Sequence, residues 1–341
     1  KDGVVNFTIV PGRYDNIVVN NTSYLHEAAI RREIGIGPGE LVKKSTLNRG
    51  VWLTNDLSRV ETNTQIKAGS RQGTTDLVVN VKNKGHRMWG YVGVDNGGYR
   101  HTGRYQYSAF VNYASPFREG DLLSVGGVVS NGGMWSGSAS YMTPIAKQGE
   151  RVGISYARSH YSLGGAFTAL GYTGTAETLS LHFQHNFKRS RDVNVYGTIR
   201  FDMKSLDDEA KSMAYSNPKS ARNWVYGING DSLDRFWTGG KNTFSLSYTH
   251  GDLSIDDERQ RVYDAGTART AGHFGKWNLE LTRLQHVSER VSLYLSYQRQ
   301  WAMKNLDSSE KFSLGGPHGV RAYPVGEASG DDGWRWTSEL R

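Results

Sequence analysis

Cysteine is absent from the 341-residue chain. That leaves no disulfide framework and no thiolate metal site, and in a chain of this length it fits an envelope protein. Long apolar runs are missing too. Only 37% of residues are hydrophobic, and no uninterrupted stretch approaches the roughly 18 residues that a membrane helix requires. No secretory leader opens the chain, since Lys1-Asp2-Gly3 runs directly into strand-like sequence. An envelope protein needs one, so the numbered chain is expected to be a mature or trimmed piece. Charge of one sign is not concentrated: 41 basic residues against 33 acidic ones give +8. Such a surplus favours an anionic neighbour such as lipopolysaccharide phosphate or outer-membrane lipid, although charges this scattered read first as solvated ones. The dispersion of basic residues, with aromatics placed by strand alternation and not as a stacking platform, argues against nucleic-acid binding.

What the chain has in abundance is alternation. From about Met88 to Arg341, stretches of roughly ten residues carry apolar side chains at every second position and are separated by turns rich in Gly, Asn, Asp or Ser, which is the strand signal. In Val193–Phe201 one face carries Val193, Val195, Ile199 and Phe201, and the other Asn194, Tyr196, Thr198 and Arg200. Trp277, Leu279 and Leu281 alternate with Asn278, Glu280 and Thr282, and Phe244, Leu246 and Tyr248 with Ser245, Ser247 and Thr249. Each strand has one oily face and one wet face. A strand of about 9 to 11 residues crosses a bilayer when tilted, and spanning strands must close so that no backbone group is left unpaired in hydrocarbon. The 19 Tyr and 9 Trp suit strand positions and interfacial girdles. The reading is an all-β transmembrane β-barrel with a polar lumen, preceded by a small α+β domain.

The pattern divides the chain at residues 1–85 and 86–341. The first part reads as extended segments at Val4–Val10 and Ile17–Asn20, a helix over Leu25–Ile34, a helix over Lys43–Asn55, and strands at Glu61–Ala68 and Thr74–Val81. Asn21-Thr22-Ser23 offers caps for the first helix and the turn Gly35–Gly39 stops it. That turn lacks the Lys-Ser/Thr of a phosphate loop. The second part yields twelve strands, near 88–96, 103–114, 121–129, 134–144, 151–161, 176–187, 192–203, 221–232, 241–251, 274–285, 291–301 and 333–341. Links after the even-numbered strands are compact, such as Ser115–Gly120 and His286–Arg290. Links after the odd-numbered ones grow, as in Lys204–Ser220, Asp252–His273 and Ala302–Asp332. Short turns on one side and long loops on the other is the outer-membrane pattern, which places the N-terminal domain in the periplasm. The final strand, Trp334 to Arg341, shows no terminal signal, so the barrel is expected to be truncated at its twelfth strand.

The last long loop ends in Phe312-Ser313-Leu314-Gly315-Gly316-Pro317-His318-Gly319-Val320-Arg321-Ala322-Tyr323. Gly and Pro at these spacings imply a defined backbone path in a loop long enough to be functional, and Arg321 can present a planar bidentate donor to a carboxylate. Other candidate chemistry is thin. Ser130-Asn131-Gly132 resembles part of an outer-membrane phospholipase signature, but position 128 is Val and not the required His. His182 and His185 lie on opposite faces of one strand. The acidic clusters Asp207-Asp208-Glu209 and Asp256-Asp257-Glu258 read as solvated charge in outer loops. No enzyme, cofactor or metal is implied.

The stretch from Gly315 to Tyr323, the acidic pair Asp331-Asp332 and the strand ending Ser338-Glu339-Leu340 together resemble the sixth-loop signature of the outer-membrane transporters of two-partner secretion. These are the haemolysin secretion and activation proteins, within the superfamily of outer-membrane protein insertases. Asn21–Leu25, the Gly35–Gly39 turn, Leu47–Asp56 and Ala68–Leu77 are similar to the barrel-proximal POTRA domain of that family. Superfamily members more often have Gly where this chain has Ala322. The resemblance implies an outer-membrane barrel of about sixteen strands whose sixth loop folds into the lumen. The loop motif is Gly315, Gly316, Val320, Arg321, Ala322 and Tyr323, with Arg321 bound to an acidic residue in a strand beyond Arg341. It also implies a monomer that captures a secreted exoprotein (an adhesin, haemolysin or toxin) and exports it through the lumen. Capture would use an exposed sheet edge of the POTRA domain, at Glu61, Thr62, Asn63, Thr64, Gln65, Ile66 and Lys67. A general insertase and a passive porin are the alternatives; a porin has no need of the α+β domain or the loop motif.

Overall fold

A computed structural model describes residues 11–147, 149–317 and 319–341. The expected extended segment Val4–Val10 and His318 of the loop motif lie outside these residues. The chain divides into two compact units. One holds the described residues up to Arg87 together with 114–121 and 144–150, and the other holds 88–113, 122–143 and 151–341.

The first unit runs β1 (Arg13–Asn21), α1 (Glu27–Ile34), α2 (Lys44–Asn55), β2 (Val60–Ala68), β3 (Thr74–Asn83). Its sheet has the order β1-β3-β2, with β1 parallel and β2 antiparallel to β3. Parallel pairing needs a crossover, and the chain between β1 and β3 supplies it. Leu77, Val79 and Val81 alternate along β3 and are buried with Tyr14, Leu25, Ile30, Ile34 and Leu57. Helix α1 buries Ala29, Ile30, Glu33 and Ile34, the stripe expected of an amphipathic helix. Gly50 lets α2 approach α1, because a Cβ there would run into the Ile34 carbonyl. Gly35 closes α1 at φ 64°, a conformation that costs glycine little. The expected caps behave differently: the N-cap position is His26, with no side-chain cap. Asn21 instead folds the preceding loop by accepting from the Ser23 N–H at 2.8 Å. In the same unit Arg32 pairs with Glu119 at 2.9 Å and Arg118 donates to the Tyr24 carbonyl at 2.7 Å.

The second unit is a meander of twelve strands in which each pairs with the next. It comprises β4 (Met88–Asp95), β5 (Gln106–Ala114), β6 (Leu122–Ser130), β7 (Trp135–Pro144), β8 (Arg151–Ser162), β9 (Tyr172–Arg189), β10 (Val193–Ala210), β11 (Tyr215–Asp234) and β12 (Gly240–Ile255). Helix α3 (Glu258–Gly266) follows, then β13 (Gly272–Ser288) and β14 (Val291–Ala302). A short hairpin of β15 (Phe312–Ser313) and β16 (Ser329–Gly330) precedes β17 (Gly333–Leu340). All twelve expected strands are present. β4 and β17 pair on one side only, so the sheet does not close on itself within the described residues. On β11, Trp224, Tyr226 and Ile228 are 44%, 47% and 41% exposed, whereas Asn223, next to Trp224 and on the opposite face, is 1% exposed. The oily face is bare and the wet face is covered.

The strands between residues 172 and 288 outrun their expected ends. β10 and β11 continue past the expected loop Lys204–Ser220 to a tight turn at 211–214, pairing Asp207 with Pro218, Asp208 with Asn217 and Glu209 with Ser216. The acidic triplet is therefore strand and not loop. Asp256-Asp257-Glu258 is a helix start: Asp257 caps α3 by accepting from the Gln260 N–H at 2.9 Å.

Candidate functional site

The connection 303–332 leaves β14, lies against the wet face and returns as β17. Its first anchor is apolar. Leu306 is buried with Ala221, Leu253 and Phe274, and its N–H donates to Asp331 at 3.0 Å. A single 3-10 turn follows, Ser308–Glu310, which Asp307 caps by accepting from the Ser309 N–H at 3.0 Å. The other oxygen of Asp307 accepts from Lys219 at 2.8 Å. Glu310, 6% exposed, accepts from Lys204 at 2.5 Å and from Asn223 at 2.9 Å through one oxygen, and from Lys276 at 2.8 Å through the other. The Glu310 carbonyl also takes Lys276 at 2.7 Å and Gln300 at 3.1 Å. Burial resists ionisation of both acids, but the Lys204 and Lys276 charges at Glu310, and the hydrogen bond and charge of Lys219 at Asp307, outweigh it. Both carboxyls lie below their ordinary values.

The motif residues come next and form a compact backbone knot. Gly315 bridges Val320, the Gly316 N–H donates to the Tyr323 carbonyl at 3.0 Å, and the Val320 N–H donates to the Leu314 carbonyl at 2.7 Å. Gly315 has no room for a side chain, because a Cβ would meet the Pro324 carbonyl, and Gly316 sits at φ 98°. Ala322 is not among the residues of positive φ, which is why a residue other than glycine fits there. Arg321 donates to Glu339 on β17. Among the described residues this is the carboxylate it meets, because the loop folds back over the strand that it precedes. Glu339 shares the wet face with Arg335 and Thr337, and its other oxygen accepts from Arg341 at 2.8 Å.

Glu61–Lys67 lie on β2, in the first unit. β2 pairs only with β3, so its other edge is unpaired among the described residues. The Thr62 N–H points away from β3 and is taken by Asn55 at 2.6 Å. By the two-residue period of a strand, Thr64 and Ile66 present the edge that remains, and Ile66 is exposed. Glu61 is engaged with Lys82 at 3.5 Å.

Sequence reasoning found the Arg321 knot and missed Asp307, Glu310 and their lysines. A signal existed in Asp307-Ser308-Ser309-Glu310, a capping pattern inside a loop, but its basic partners are scattered over three strands. The hydrolase-like Ser130 is committed to its turn, donating to the Thr102 carbonyl and accepting from the Met134 N–H at 3.0 Å. His182 bonds Ser155 at 2.8 Å on the wet face, and His185 meets Phe187 on the other.

A family model described as haemolysin secretion/activation protein ShlB/FhaC/HecB matches residues 73–341. The heme/hemopexin transporter protein HuxB of Haemophilus influenzae is 26% identical over 347 residues, covering 100% of this chain and 60% of its own. The outer membrane transporter CdiB of Dickeya dadantii is 24% identical over 99% of this chain and 60% of its own. This chain therefore spans about 60% of the length of the curated relatives it matches. Among solved structures, CdiB from Escherichia coli aligns with a TM-score of 0.81 at 20% identity, over 97% of this chain and 62% of that one. BamA from Haemophilus ducreyi lacking POTRA domains 1–3 aligns at 0.60 and 12% identity, over 92% and 60%. At these identities the two structures support the fold alone.

Proposed function

The chain belongs to the haemolysin secretion/activation protein family, and on that premise we propose that it is part of a two-partner secretion transporter of the outer membrane. The observation that carries the reading is the twelve-strand sheet, bare on its oily face, with loop 303–332 folded onto its wet face through the motif at Arg321. An oily face this exposed suits acyl chains, and a polar lumen with a folded-in loop suits a gated passage. The first unit then serves as a periplasmic POTRA domain, supported by its order of strand, two helices and two strands and its mixed sheet. Its role is to capture an extended segment of the exoprotein at the β2 edge, where Thr64 and Ile66 offer free backbone groups. The passenger threads the lumen unfolded, and folding outside the cell gives the direction. The names of the relatives, a heme/hemopexin transporter and outer membrane transporters, fit such a task.

The test is export of the cognate exoprotein. Arg321→Ala is expected to abolish or strongly reduce it in barrels that insert normally, and unchanged export refutes the role of the motif. Deleting residues 1–85 is expected to remove exoprotein binding, and binding that survives the deletion refutes capture by the first unit.

A further inference from the structure

Two of the ionic attachments of loop 303–332 to the wet face share no residue. One is Arg321 with Glu339, an open contact in which the Arg321 side chain is 63% exposed. The other is buried: the carboxylates of Asp307 and Glu310 among the ammonium groups of Lys204, Lys219 and Lys276. We propose that Lys204, Lys219, Lys276 and Asn223 form a carboxylate-receiving site on the wet face, and that Asp307 and Glu310 occupy it as a latch that seats the first half of the loop independently of Arg321.

The lysines come from β10, β11 and β13, and each lies at a wet-face position of its strand. Among the described ion pairs, Glu310 is the sole acidic partner of Lys204 and of Lys276. Lys219 reaches the strand residue Asp208 only at 3.5 Å, against 2.8 Å for Asp307. An ammonium withdrawn from water without a counter-charge is costly, so the site is built for an anion, and the loop delivers two. The fit is not by charge alone: Asn223 and Gln300 complete the hydrogen bonds of Glu310, and Leu306 fills an apolar socket beside them. Solvent and salt reach the two attachments unequally. The exposed Arg321 pair is screened, while the enclosed cluster is screened much less. That the latch bars a passage rests on the transporter reading; that it seats the loop does not.

These 341 residues hold no cysteine, so in the full-length protein, with any cysteine outside them replaced by serine, Ser308→Cys carries a single nitroxide label on the exposed side of the 3-10 turn. The label is expected to be immobilised in the parent and in Arg321→Ala. The immobilised spectral component is expected to be lost in Asp307→Asn with Glu310→Gln. Lys204→Gln provides the same readout by a separate route should the double variant fail to fold. An immobilised spectrum that survives both routes, or one lost equally in Arg321→Ala, overturns the latch. Export of the exoprotein measured alongside separates the two ideas. A label that is freed while export stays unchanged retains the latch and counts against the loop as a gate.

Discussion

The two units bury opposite chemistry. In the first, Leu77, Val79, Val81, Leu25 and Ile30 are almost wholly enclosed while Glu27, Arg31 and Lys67 face water, the arrangement of a domain whose solvent is water on every side. In the twelve-strand unit, Asp202, Lys219, Asn223, Gln300 and Glu310 are enclosed beside a small apolar cluster around Leu253 and Phe274, while Trp224, Tyr226, Ile228 and Leu281 are bare. The same chain thus follows the hydrophobic effect once with an apolar interior and once with an apolar exterior. Only a second, apolar solvent reconciles the two. The difference also shows where tight binding can be assembled. In the first unit most charged groups lie at the surface, with Glu33 a buried exception, and the feature proposed to act there is a strand edge. In the sheet the polar groups are enclosed on the wet face, and the feature proposed to act there is a salt-bridged loop.

The contrast is sharpest when the same kind of lesion is placed in each region. Leu77→Ala removes a fully enclosed side chain from the first unit, at an expected cost of about 2–5 kcal/mol. Chemical denaturation should show an earlier transition of that unit while the sheet unfolds as before. In the sheet, Leu246 and Ser247 are neighbours on opposite faces. Leu246→Arg is expected to cost about 2–4 kcal/mol when the barrel is folded into lipid vesicles, and Ser247→Arg little by comparison. Equal costs for the two would mean that the oily face meets no hydrocarbon. Arg321→Ala stands lower still on this scale. Its ion pair is exposed, and such pairs contribute about 0.2–1 kcal/mol. Unfolding measurements should therefore barely register the change, while the export assay should register it strongly.

What could be read from the sequence follows the same division. The twelve strands were legible because a face toward oil and a face toward water impose period two, as Val193–Phe201 and Trp277–Leu281 do. The ends of β10 and β11 were not. Lys204–Ala210 and Tyr215–Ser220 carry polar residues on both faces, so alternation fades although pairing continues to Ala210 and Tyr215. The knot from Gly315 to Tyr323 was legible because its glycines answer local demands of the backbone. Its contact with Glu339 was not legible, because Glu339 becomes a neighbour only through the way the loop turns back. The Asp307 and Glu310 contacts were hidden for a related reason. Lys204, Lys219 and Lys276 are far apart in sequence, and any wet strand face would tolerate each of them singly.

The smallest expected effect is the response of the latch to mild acid, and its sign is fixed by the direction of the carboxyl shifts. Asp307 and Glu310 lie below their ordinary values in the folded loop, so folding is linked to their ionised forms. The stabilisation they contribute is fully present above the unfolded values of about 4 and is lost only as pH falls through the lower folded ones. A nitroxide at Ser308 should therefore stay immobilised from about pH 7 to about pH 5 and be released only below about pH 4. Release already between about pH 6 and pH 5 would mean that the two acids are not held ionised by the lysines. The wet face would then be an ordinary polar surface on which the loop merely rests, and the division between an enclosed ionic interior here and an enclosed apolar one in the first unit would be lost.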